Sequence, residues 1–580
     1  MITLTIDNKE VKVPEGTTVL NAAREAGVHI PTLCFLKDIN EVGACRMCLV
    51  EVEGMANRLL ASCVLEAAEG MVVRTNSQKI RRARKSNLEL ILSNHDRSCL
   101  SCVRNKNCEL QTLADELAIR DIPYEGERIV HPIDSSSPSI VRDQNKCILC
   151  GRCISVCDKI QNVGVLGFIE RGFKTKVGQP FDKNLEESPC IRCGQCINVC
   201  PVGALHEKEE IDYVWEAIED KSKHVIVQTA PAVRAGLGEE FGLPMGTRVT
   251  GQMAAALKRL GFDKVFDTDF AADLTIMEEG HELLHRIQNN GVLPMITSCS
   301  PGWINYCEEF YPEFLPNLSS CKSPQQMFGA IAKSYYAEVN GLDPKDIYVV
   351  SVMPCTAKKG EKMRPELSVN GIQDVDAVLT TRELAKMIRQ AGIHFNQLED
   401  ENFDQLLGES TGAGVIFGVT GGVMEAALRT VSEVVLEKTL EDIEYSQVRG
   451  IEGIKEASVK LGDIDVKIAV AHSTGQATRL LEMIKNGEKT YHFIEIMGCS
   501  GGCVNGGGQP IVDPVTKMTV DVRVERAKAL YSEDEAKVLR KSHENPMIQK
   551  LYAEYLGKPN GHKAHELLHT SYKQKEIYPL

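Results

Sequence analysis

The second half of the chain alternates short apolar runs with longer amphipathic segments. The apolar runs are typical of buried strands: HVIVQTAP at 224–231, YVVSVMPC at 348–355, VKIAVAH at 466–472 and HFIEIMGC at 492–499. Helical periodicity falls between them, at 251–260, 273–288 and 381–391. This alternation predicts an α/β region with parallel or mixed sheets flanked by helices, in which ligands bind at the carboxyl ends of strands. Two cysteines, Cys355 and Cys499, stand where two of these strands end.

The beginning of the chain has the period of two that a strand requires. Residues 1–13, MITLTIDNKEVKV, predict a hairpin, and Thr17 or Thr18 then caps a short helix. The segment 78–94 is amphipathic with a helical period, and 120–140 is a loop rich in Ser and Pro. We therefore predict small α+β domains before the α/β region.

Composition excludes several functional classes. With 580 residues, 43% hydrophobic and 25% charged, the chain has the make-up of a globular protein of several domains. Its formal net charge of -14 argues against non-specific nucleic-acid binding. The N-terminus lacks the apolar core of a signal peptide, and no run approaches the roughly 18 to 20 apolar residues that cross a bilayer. We expect a soluble, cytoplasmic protein with reduced thiols, no nucleic-acid partner and no membrane span.

The cysteines are distributed unevenly, because 15 of the 21 lie within the first 200 residues. Two runs have the C-x2-C-x2-C-x3-C spacing of bacterial two-cluster ferredoxins, in which three thiolates bind one cubane and the fourth serves the other. Their members are Cys147, Cys150, Cys153 and Cys157, then Cys190, Cys193, Cys196 and Cys200. The spacing predicts a domain with two 4Fe-4S clusters.

Two further ligand groups precede these runs. The first consists of Cys34, Cys45, Cys48 and Cys63. It is similar to the plant-type 2Fe-2S arrangement on a β-grasp fold, although the first gap is longer than in plants. The second consists of His95, Cys99, Cys102 and Cys108. This set suits either zinc or a 4Fe-4S cubane, and its place between two predicted iron–sulfur domains favours the cubane.

Three segments of the α/β region contain the remaining candidate chemistry. They are TSCSPGW at 297–303, MPCTAKKGE at 353–361 and EIMGCSGGCVNGGGQP at 495–510. They resemble the iron-only (FeFe) hydrogenase motifs TSCCPxW, MPCxxKxxE and ExMxCxxGCxxGGGQP, and the upstream cysteine groups resemble the long clostridial form. The resemblance implies reversible H2 oxidation and proton reduction at an H-cluster. This cofactor is a 4Fe-4S cubane joined through a cysteine thiolate to a diiron unit with CO, cyanide and dithiolate ligands.

One cluster ligand departs from the family pattern. By motif position the resemblance implies two cubane ligands and one bridging ligand: Cys355, Cys499 and Cys503. The remaining ligand position holds Ser300, and an alkoxide is a harder, more basic ligand than a thiolate. Four outcomes stay open: Ser300 ligates, Cys299 or Cys321 replaces it, or the cubane is incomplete. The alternative function is a non-catalytic or impaired H2-sensing or electron-wiring subunit.

The resemblance also implies a proton route and walls for the diiron pocket. Protons pass from Cys299 through a water to a series of side chains: Glu279, Ser319, Glu282 and Arg286. Lys358 is implied as a donor to a cyanide ligand. The implied pocket residues are Pro231, Ala232, Gln325, Met353, Met497 and Phe417. At position 232 the family commonly has a serine.

The motif HExxH occurs twice, at 281–285 and 565–569. On a helix this spacing is the signature of zinc metalloproteases. Chance occurrence is easy in helices rich in Glu and Leu, and neither copy indicates a third ligand. We therefore set the protease interpretation aside.

These signals predict four domains: a β-grasp 2Fe-2S domain at 1–78, a His/Cys3 4Fe-4S domain at 79–125, a two-cluster ferredoxin-like domain at 126–209 and an H-cluster domain at 210–580. The expected cofactors are one 2Fe-2S cluster, three accessory 4Fe-4S clusters and the H-cluster. By resemblance, the electron partner is ferredoxin or a flavin- and NAD-binding iron–sulfur subunit of an electron-bifurcating hetero-oligomer.

Overall fold

The computed structural model of this chain describes residues 1–55, 58–436, 439, 443–461, 464–513 and 515–578. Within these residues, none of the helices combines the length and the apolar character that a bilayer crossing requires. Small sheets and short helices come first along the chain, and two larger sheets with their helices follow.

The N-terminal sheet has five strands in the order β2-β1-β5-β3-β4. Their bounds are β1 Ile2–Ile6, β2 Lys9–Val13, β3 Leu49–Val52, β4 Leu59–Ala61 and β5 Val72–Arg74. The predicted hairpin forms because Asp7 and Asn8 adopt positive φ, 45° and 66°, between two antiparallel strands. Helix α1, Val19–Glu25, begins where the Thr18 side chain accepts a hydrogen bond from Asn21 N at 3.3 Å.

The next segment is built from short elements around cysteine loops. Its helices and strands are α2 Gln78–Asn94, α3 Glu109–Glu116, β6 Ile140–Arg142, α4 Arg152–Ser155, β7 Gly167–Ile169, β8 Lys176–Gly178, α5 Gln195–Val199 and β9 Leu205–Glu207. Strands β6 and β9 pair antiparallel, as do β7 and β8. Buried Arg84 fixes α2 to the first sheet, because its guanidinium donates to Leu49 O at 2.7 Å.

The large α/β region contains two four-stranded sheets. The first, in the order β11-β10-β13-β16, is entirely parallel, with β10 His224–Thr229, β11 Lys264–Asp267, β13 Ile347–Met353 and β16 Ala377–Thr380. The second, in the order β12-β19-β18-β17, is mixed, with β12 Met295–Ile296, β17 Ile454–Leu461, β18 Ile464–His472 and β19 Phe493–Met497. A small hairpin adds β14 Ser368–Val369 and β15 Ile372–Gln373.

Helices flank these sheets and enclose their apolar cores. They are α6 Ile211–Glu219, α7 Val233–Gly236, α8 Thr250–Leu260, α9 Thr268–Gln288, α10 Pro301–Phe310, α11 Pro324–Ile331, α12 Ala337–Asn340, α13 Ala357–Glu361, α14 Thr381–Gln390, α15 Gly412–Val415, α16 Gly422–Leu436, α17 Thr474–Lys485, α18 Thr516–Thr519, α19 Val522–Ala536, α20 Pro546–Leu551 and α21 His562–Leu568. The α/β fold class is confirmed, including all four predicted strands. The carboxyl ends of strands from both sheets face one cavity.

Candidate active site and cluster-binding cysteines

The cavity between the two sheets collects all three hydrogenase-like segments. It contains about 750 Å³ of space free of protein atoms, its mouth included. Its lining includes Cys299, Ser300, Cys355, Cys499 and Cys503. Cys355 follows β13 of the first sheet by two residues, and Cys499 follows β19 of the second by two. The site therefore forms because parallel strands of two sheets end beside each other.

Glycines allow the third segment to approach its neighbours closely. A Cβ at Gly506 would lie 2.0 Å from Pro354 O, so a larger residue would push the third segment away from the second. Gly502 has a φ of +96°, and a Cβ there would lie 2.7 Å from Thr420 N. These glycines bring Cys503 to the cavity that Cys355 lines.

Ser300 lines the cavity and precedes α10. Its hydroxyl oxygen accepts a hydrogen bond from Gly498 N at 3.1 Å. This contact holds the TSCSPGW segment against the EIMGCSGGCVNGGGQP segment, at the residue that precedes Cys499. Cys321 lies elsewhere: its Sγ is 3.9 Å from Glu282 Oε2, and it is absent from the described lining of the cavity.

Lys358 is held in place by a carboxylate that the sequence analysis did not single out. Its Nζ donates to Glu361 Oε2 at 2.9 Å and to Cys299 O at 3.2 Å. The Glu361 carboxylate also accepts from Ser323 and Gln325, at 3.0 and 3.1 Å. Glu361 ends the MPCTAKKGE segment, three residues after Lys358. That spacing was the sequence signal that could have identified it as the partner of Lys358.

The predicted pocket walls separate into two groups. Five of them line the cavity: Pro231, Gln325, Met353, Phe417 and Met497. Ala232, next to Pro231, is not among the described residues that line it. Ala232 is fully buried in a neighbouring apolar cluster, and its carbonyl accepts from Gln509 Nε2 at 2.7 Å. The neighbouring Ala230 lines the cavity instead.

Three of the predicted relay residues form a continuous hydrogen-bonded chain. Ser319 Oγ donates to Glu282 Oε2 at 3.0 Å, and Arg286 Nη2 donates to Glu282 Oε1 at 2.6 Å. Glu279 and Glu282 lie on one face of α9, because they are three residues apart. The Glu282 and Arg286 side chains keep 13% and 14% exposure, so the chain extends from the interior towards solvent.

Glu279 occupies the buried end of this chain. Both of its carboxylate oxygens are buried, with the Ser319 hydroxyl and the Ser298 backbone N–H near enough to oppose part of the pKa shift. Burial, with a smaller contribution from the negative charge of Glu282, raises the pKa of Glu279 to about 8. A carboxyl group with this pKa exchanges protons near neutral pH. Burial and nearby Glu279 also raise the pKa of Cys299 well above its ordinary value.

The two ferredoxin-like cysteine runs line two separate cavities. One cavity is lined by Cys147, Cys150, Cys153 and Cys200. The other is lined by Cys157, Cys190, Cys193 and Cys196. Each cavity thus receives three cysteines from one run and the fourth from the other, and four thiols around a small, mostly apolar cavity fit a 4Fe-4S cubane.

Members of the two earlier ligand groups lie in surroundings that suit metal binding. Cys48 Sγ and Cys63 Sγ are 3.3 Å apart, and Cys34 and Cys48 are buried in the β-grasp core. His95 Nδ1 is buried without a partner among the described residues. Burial lowers the pKa of His95 to about 4, so the imidazole is neutral and its free nitrogen can bind metal.

Polar contacts join the two-cluster segment to the active-site loops. Gln161 Nε2 donates to Gly498 O at 3.0 Å, and Thr356 Oγ1 donates to Arg192 O at 2.8 Å. A Cβ at Gly507 would lie 2.3 Å from Cys193 O, so the backbones of the two segments are in contact. Sequence reasoning missed these residues because no local pattern marks a contact between positions so far apart along the chain.

The fold and these sites define a class: an iron–sulfur protein in which a series of cysteine-lined cavities leads to a buried site with its own thiols, lysine and proton-exchanging carboxyls. Models of known families match the same segments in the same order. The iron-only hydrogenase large subunit, C-terminal domain, matches residues 223–507, and the iron hydrogenase small subunit matches 520–575. A 2Fe-2S iron-sulfur cluster binding domain matches 1–78, the NADH-ubiquinone oxidoreductase-G iron-sulfur binding region 84–123, and the ferredoxin-like domain of NADH-quinone oxidoreductase subunit 3 matches 137–206.

Relatives extend this similarity to the whole chain. The chain is 52% identical over 587 residues to the NADP-reducing hydrogenase subunit HndD of Solidesulfovibrio fructosivorans, covering 99% of both chains. It is 47% identical over 579 residues to iron hydrogenase 1 of Clostridium pasteurianum, covering 99% of this chain and 100% of the relative. The structure of apo [FeFe]-hydrogenase HydA1 from Chlamydomonas reinhardtii aligns with a TM-score of 0.58 and 43% identity, over 64% of this chain and 100% of that one.

The chain belongs to the iron-only (FeFe) hydrogenase family. It is therefore an oxidoreductase that acts on H2, with an H-cluster domain preceded by 2Fe-2S and 4Fe-4S domains.

Proposed function

We propose that the chain catalyses reversible H2 oxidation and proton reduction in the cavity between its two sheets, with electrons relayed through four accessory clusters. The observation that supports this most directly is the convergence of thiols and proton-exchanging groups. Cys355, Cys499 and Cys503 line the same cavity as Cys299, and Lys358 contacts Cys299. A site that only transferred electrons would need the cluster-binding cysteines but not the proton-exchanging Cys299 or the cationic Lys358.

The proposed electron path branches before it reaches the surface. The Cys157/Cys190/Cys193/Cys196 cavity adjoins the active-site loops through Gly507. The Cys147/Cys150/Cys153/Cys200 cavity, which shares its cysteine runs, is the next proposed step. Two contacts lead outward from this second cavity. Asn40 Nδ2 donates to both Cys34 O and Cys150 O, at 2.7 and 3.0 Å. On the His/Cys3 side, Arg104 donates to Cys200 O at 2.9 Å. Electrons thus enter or leave through either outer cluster.

The side chains of this protein position the cofactor and move protons. When bound, the H-cluster supplies the electrons and the metal centre for making or breaking the H–H bond. Lys358, fixed by Glu361, presents a cationic donor at the cavity, while Met353 and Phe417 exclude water. Burial raises the pKa of Cys299 well above its ordinary value, so the thiol stays protonated at neutral pH and Sγ holds a proton beside the cavity.

We propose the same four domain divisions that the sequence predicts, with ferredoxin or a flavin- and NAD-binding iron–sulfur subunit as the electron partner. The second partner is supported by two similarities. The relative HndD is described as NADP-reducing, and residues 84–123 and 137–206 match domains of NADH oxidoreductases. Hydrogen evolution by the purified protein with reduced ferredoxin alone, compared with ferredoxin plus such a subunit, separates the two.

Infrared spectroscopy of the fully matured protein tests the proposed chemistry. We expect bands from CO and cyanide ligands, together with H2 evolution from a chemical reductant. Iron analysis should agree with one 2Fe-2S cluster, three accessory cubanes and the H-cluster. Complete maturation without these bands would instead support the alternative, a sensing or electron-wiring subunit.

Ser300→Cys is expected to keep or raise the rate of H2 evolution. The Ser300 hydroxyl accepts from Gly498 N and lines the cavity, so a thiolate at this position would replace a hard oxygen ligand with the softer sulfur that iron–sulfur clusters favour. The measurement is turnover beside the electron paramagnetic resonance signal of the cubane. Ser300→Ala is the matched control, because alanine offers neither the serine oxygen nor a cysteine sulfur as a ligand. This variant should weaken the cubane signal. A Ser300→Cys protein at least about tenfold slower, or about 1.4 kcal/mol higher in barrier, would contradict a ligand role.

A further inference from the structure

We propose that Glu282, Cys321 and His569 form a binding site for a thiophilic divalent cation of the Zn²⁺ class, separate from the iron–sulfur sites. One ligand atom from each residue lies within 4.8 Å of those from the other two. The three come from distant parts of the sequence: helix α9, the loop before α11 and the end of α21. Their approach to one another is therefore a property of the fold rather than of a local motif.

Backbone pairing fixes two of the three ligands. Cys321 and His569 form an antiparallel bridge, flanked by hydrogen bonds from Lys322 N to Leu568 O and from Thr570 N to Ser320 O, both at 2.7 Å. Because these bonds hold both chains in register, the thiol and the imidazole keep their positions without help from a metal.

His569 has the hydrogen-bonding pattern of a zinc ligand. Its Nε2 lies 3.1 Å from Glu278 Oε2, and Nδ1 lies 2.8 Å from Ser320 Oγ, which is itself 3.2 Å from Glu282 Oε2. A histidine that binds metal through one nitrogen usually donates from the other to a carboxylate. Glu278 is held for this task by the Tyr552 hydroxyl and by Asn560 N. Rotation of the Ser320 hydroxyl frees Nδ1.

The donor types select the cation class. A thiolate, an imidazole and one carboxylate oxygen suit Zn²⁺, whereas Mg²⁺ and Ca²⁺ require oxygen ligands. The two Glu282 oxygens are already divided between functions. Oε1 accepts from Arg286 at 2.6 Å. Oε2 faces Cys321 Sγ at 3.9 Å and accepts from Ser319 Oγ, Ser320 N and Ser320 Oγ, so a bound cation would replace the hydroxyl donors. A fourth coordination position is left for water.

The same geometry gives the two HExxH motifs a different meaning. The first motif contributes its glutamate and the second its last histidine, while His281 and His565 have other contacts. His281 Nδ1 bonds to Met277 O at 2.6 Å, and the exposed His565 ring stacks on His569 at a centroid distance of 4.0 Å. The motifs thus meet in one mixed site and not in two protease sites.

Cation binding here would inhibit the enzyme, a consequence that rests on the proposed function of Glu282 in proton transfer. Ser319 donates to Glu282 Oε2, the oxygen that faces Cys321. A cation bound to this oxygen replaces that hydrogen bond and interrupts the chain between Glu279 and Arg286. Because the Glu282 side chain is 13% exposed, the cation can reach it from solvent.

The test uses the matured full-length protein with Zn²⁺ alone. We expect Zn²⁺ to inhibit H2 evolution reversibly, with recovery on chelation, and zinc-edge X-ray absorption to report one sulfur among nitrogen and oxygen ligands. Cys321→Ser and His569→Gln should keep activity without metal within about twofold, and should raise the inhibitory Zn²⁺ concentration about 10- to 100-fold. Cys307→Ser is the matched control, because Cys307 is an equally buried thiol that contacts Tyr311 O instead.

Each outcome is decisive for one part of the proposal. Inhibition unchanged in both Cys321→Ser and His569→Gln, or several sulfurs around the zinc, would overturn the site. A one-sulfur zinc site that leaves turnover unaffected would uphold the site and overturn the role of Glu282 in proton transfer.

Discussion

Replacing Cys503 with Ser is expected to abolish both H2 turnover and retention of the diiron unit. By family resemblance this thiolate is the bridge between the cubane and the diiron unit. Cys503 lines the cavity with Cys355 and Cys499, on a loop that Gly502 and Gly506 hold against neighbouring backbone. A serine oxygen is a poorer bridging ligand for iron than a thiolate. The measurement is the infrared spectrum after maturation, in which the CO and cyanide bands should be absent.

The control for this variant is the state of the accessory clusters. Their cysteines line other cavities, so their electron paramagnetic resonance signals should match those of the unmodified protein. Cys307→Ser, a change at a buried thiol outside the cavity, should retain full activity. If the Cys503→Ser protein kept its CO and cyanide bands, the assignment of Cys503 as the bridge would be wrong.

Local elements were predictable wherever one physical signal dominates. The helix over 78–94 has the predicted bounds, because Ser77 caps it and its apolar period is uninterrupted. The strands that end at Met353 and Met497 were visible as apolar runs. Since both runs are followed by cysteine, the meeting of Cys355 and Cys499 at strand ends followed from the general rule for parallel sheets.

Contacts between distant segments were not predictable in the same way. Nothing around Cys321 or His569 in the sequence indicates that these two residues pair, because the bridge depends on the path of the long chain segment between them. The same holds for Gln161, whose partner Gly498 follows β19 and lies 337 residues further along the chain. Ala232 is a related case: its side chain packs in an apolar cluster with Val415 and Leu530, a contact that motif position does not reveal.

Replacing Glu279 with Gln is expected to slow H2 evolution about 100- to 10,000-fold, the usual contribution of a positioned proton-transfer group. Glutamine fits the same space but cannot exchange a proton at neutral pH. The glutamine side-chain oxygen can still accept from the nearby Ser319 hydroxyl and Ser298 backbone N–H, so the substitution should leave the fold intact. The infrared bands should therefore persist while turnover falls, which separates lost proton transfer from lost cofactor.

Glu309→Gln provides the matched control, because burial also raises the pKa of Glu309, to about 7, although it does not line the cavity. Its turnover should stay near that of the unmodified enzyme.

Burial holds Glu279 protonated below pH 8 and ready to donate, and the proton is lost as the pH rises through about 8. H2 evolution should therefore decline above that pH, whereas H2 oxidation, which needs a proton acceptor, should rise through it. Both inflections should vanish in the Glu279→Gln protein. If the Glu279→Gln protein kept both inflections and its turnover were unchanged, the proton route would have to run through other residues.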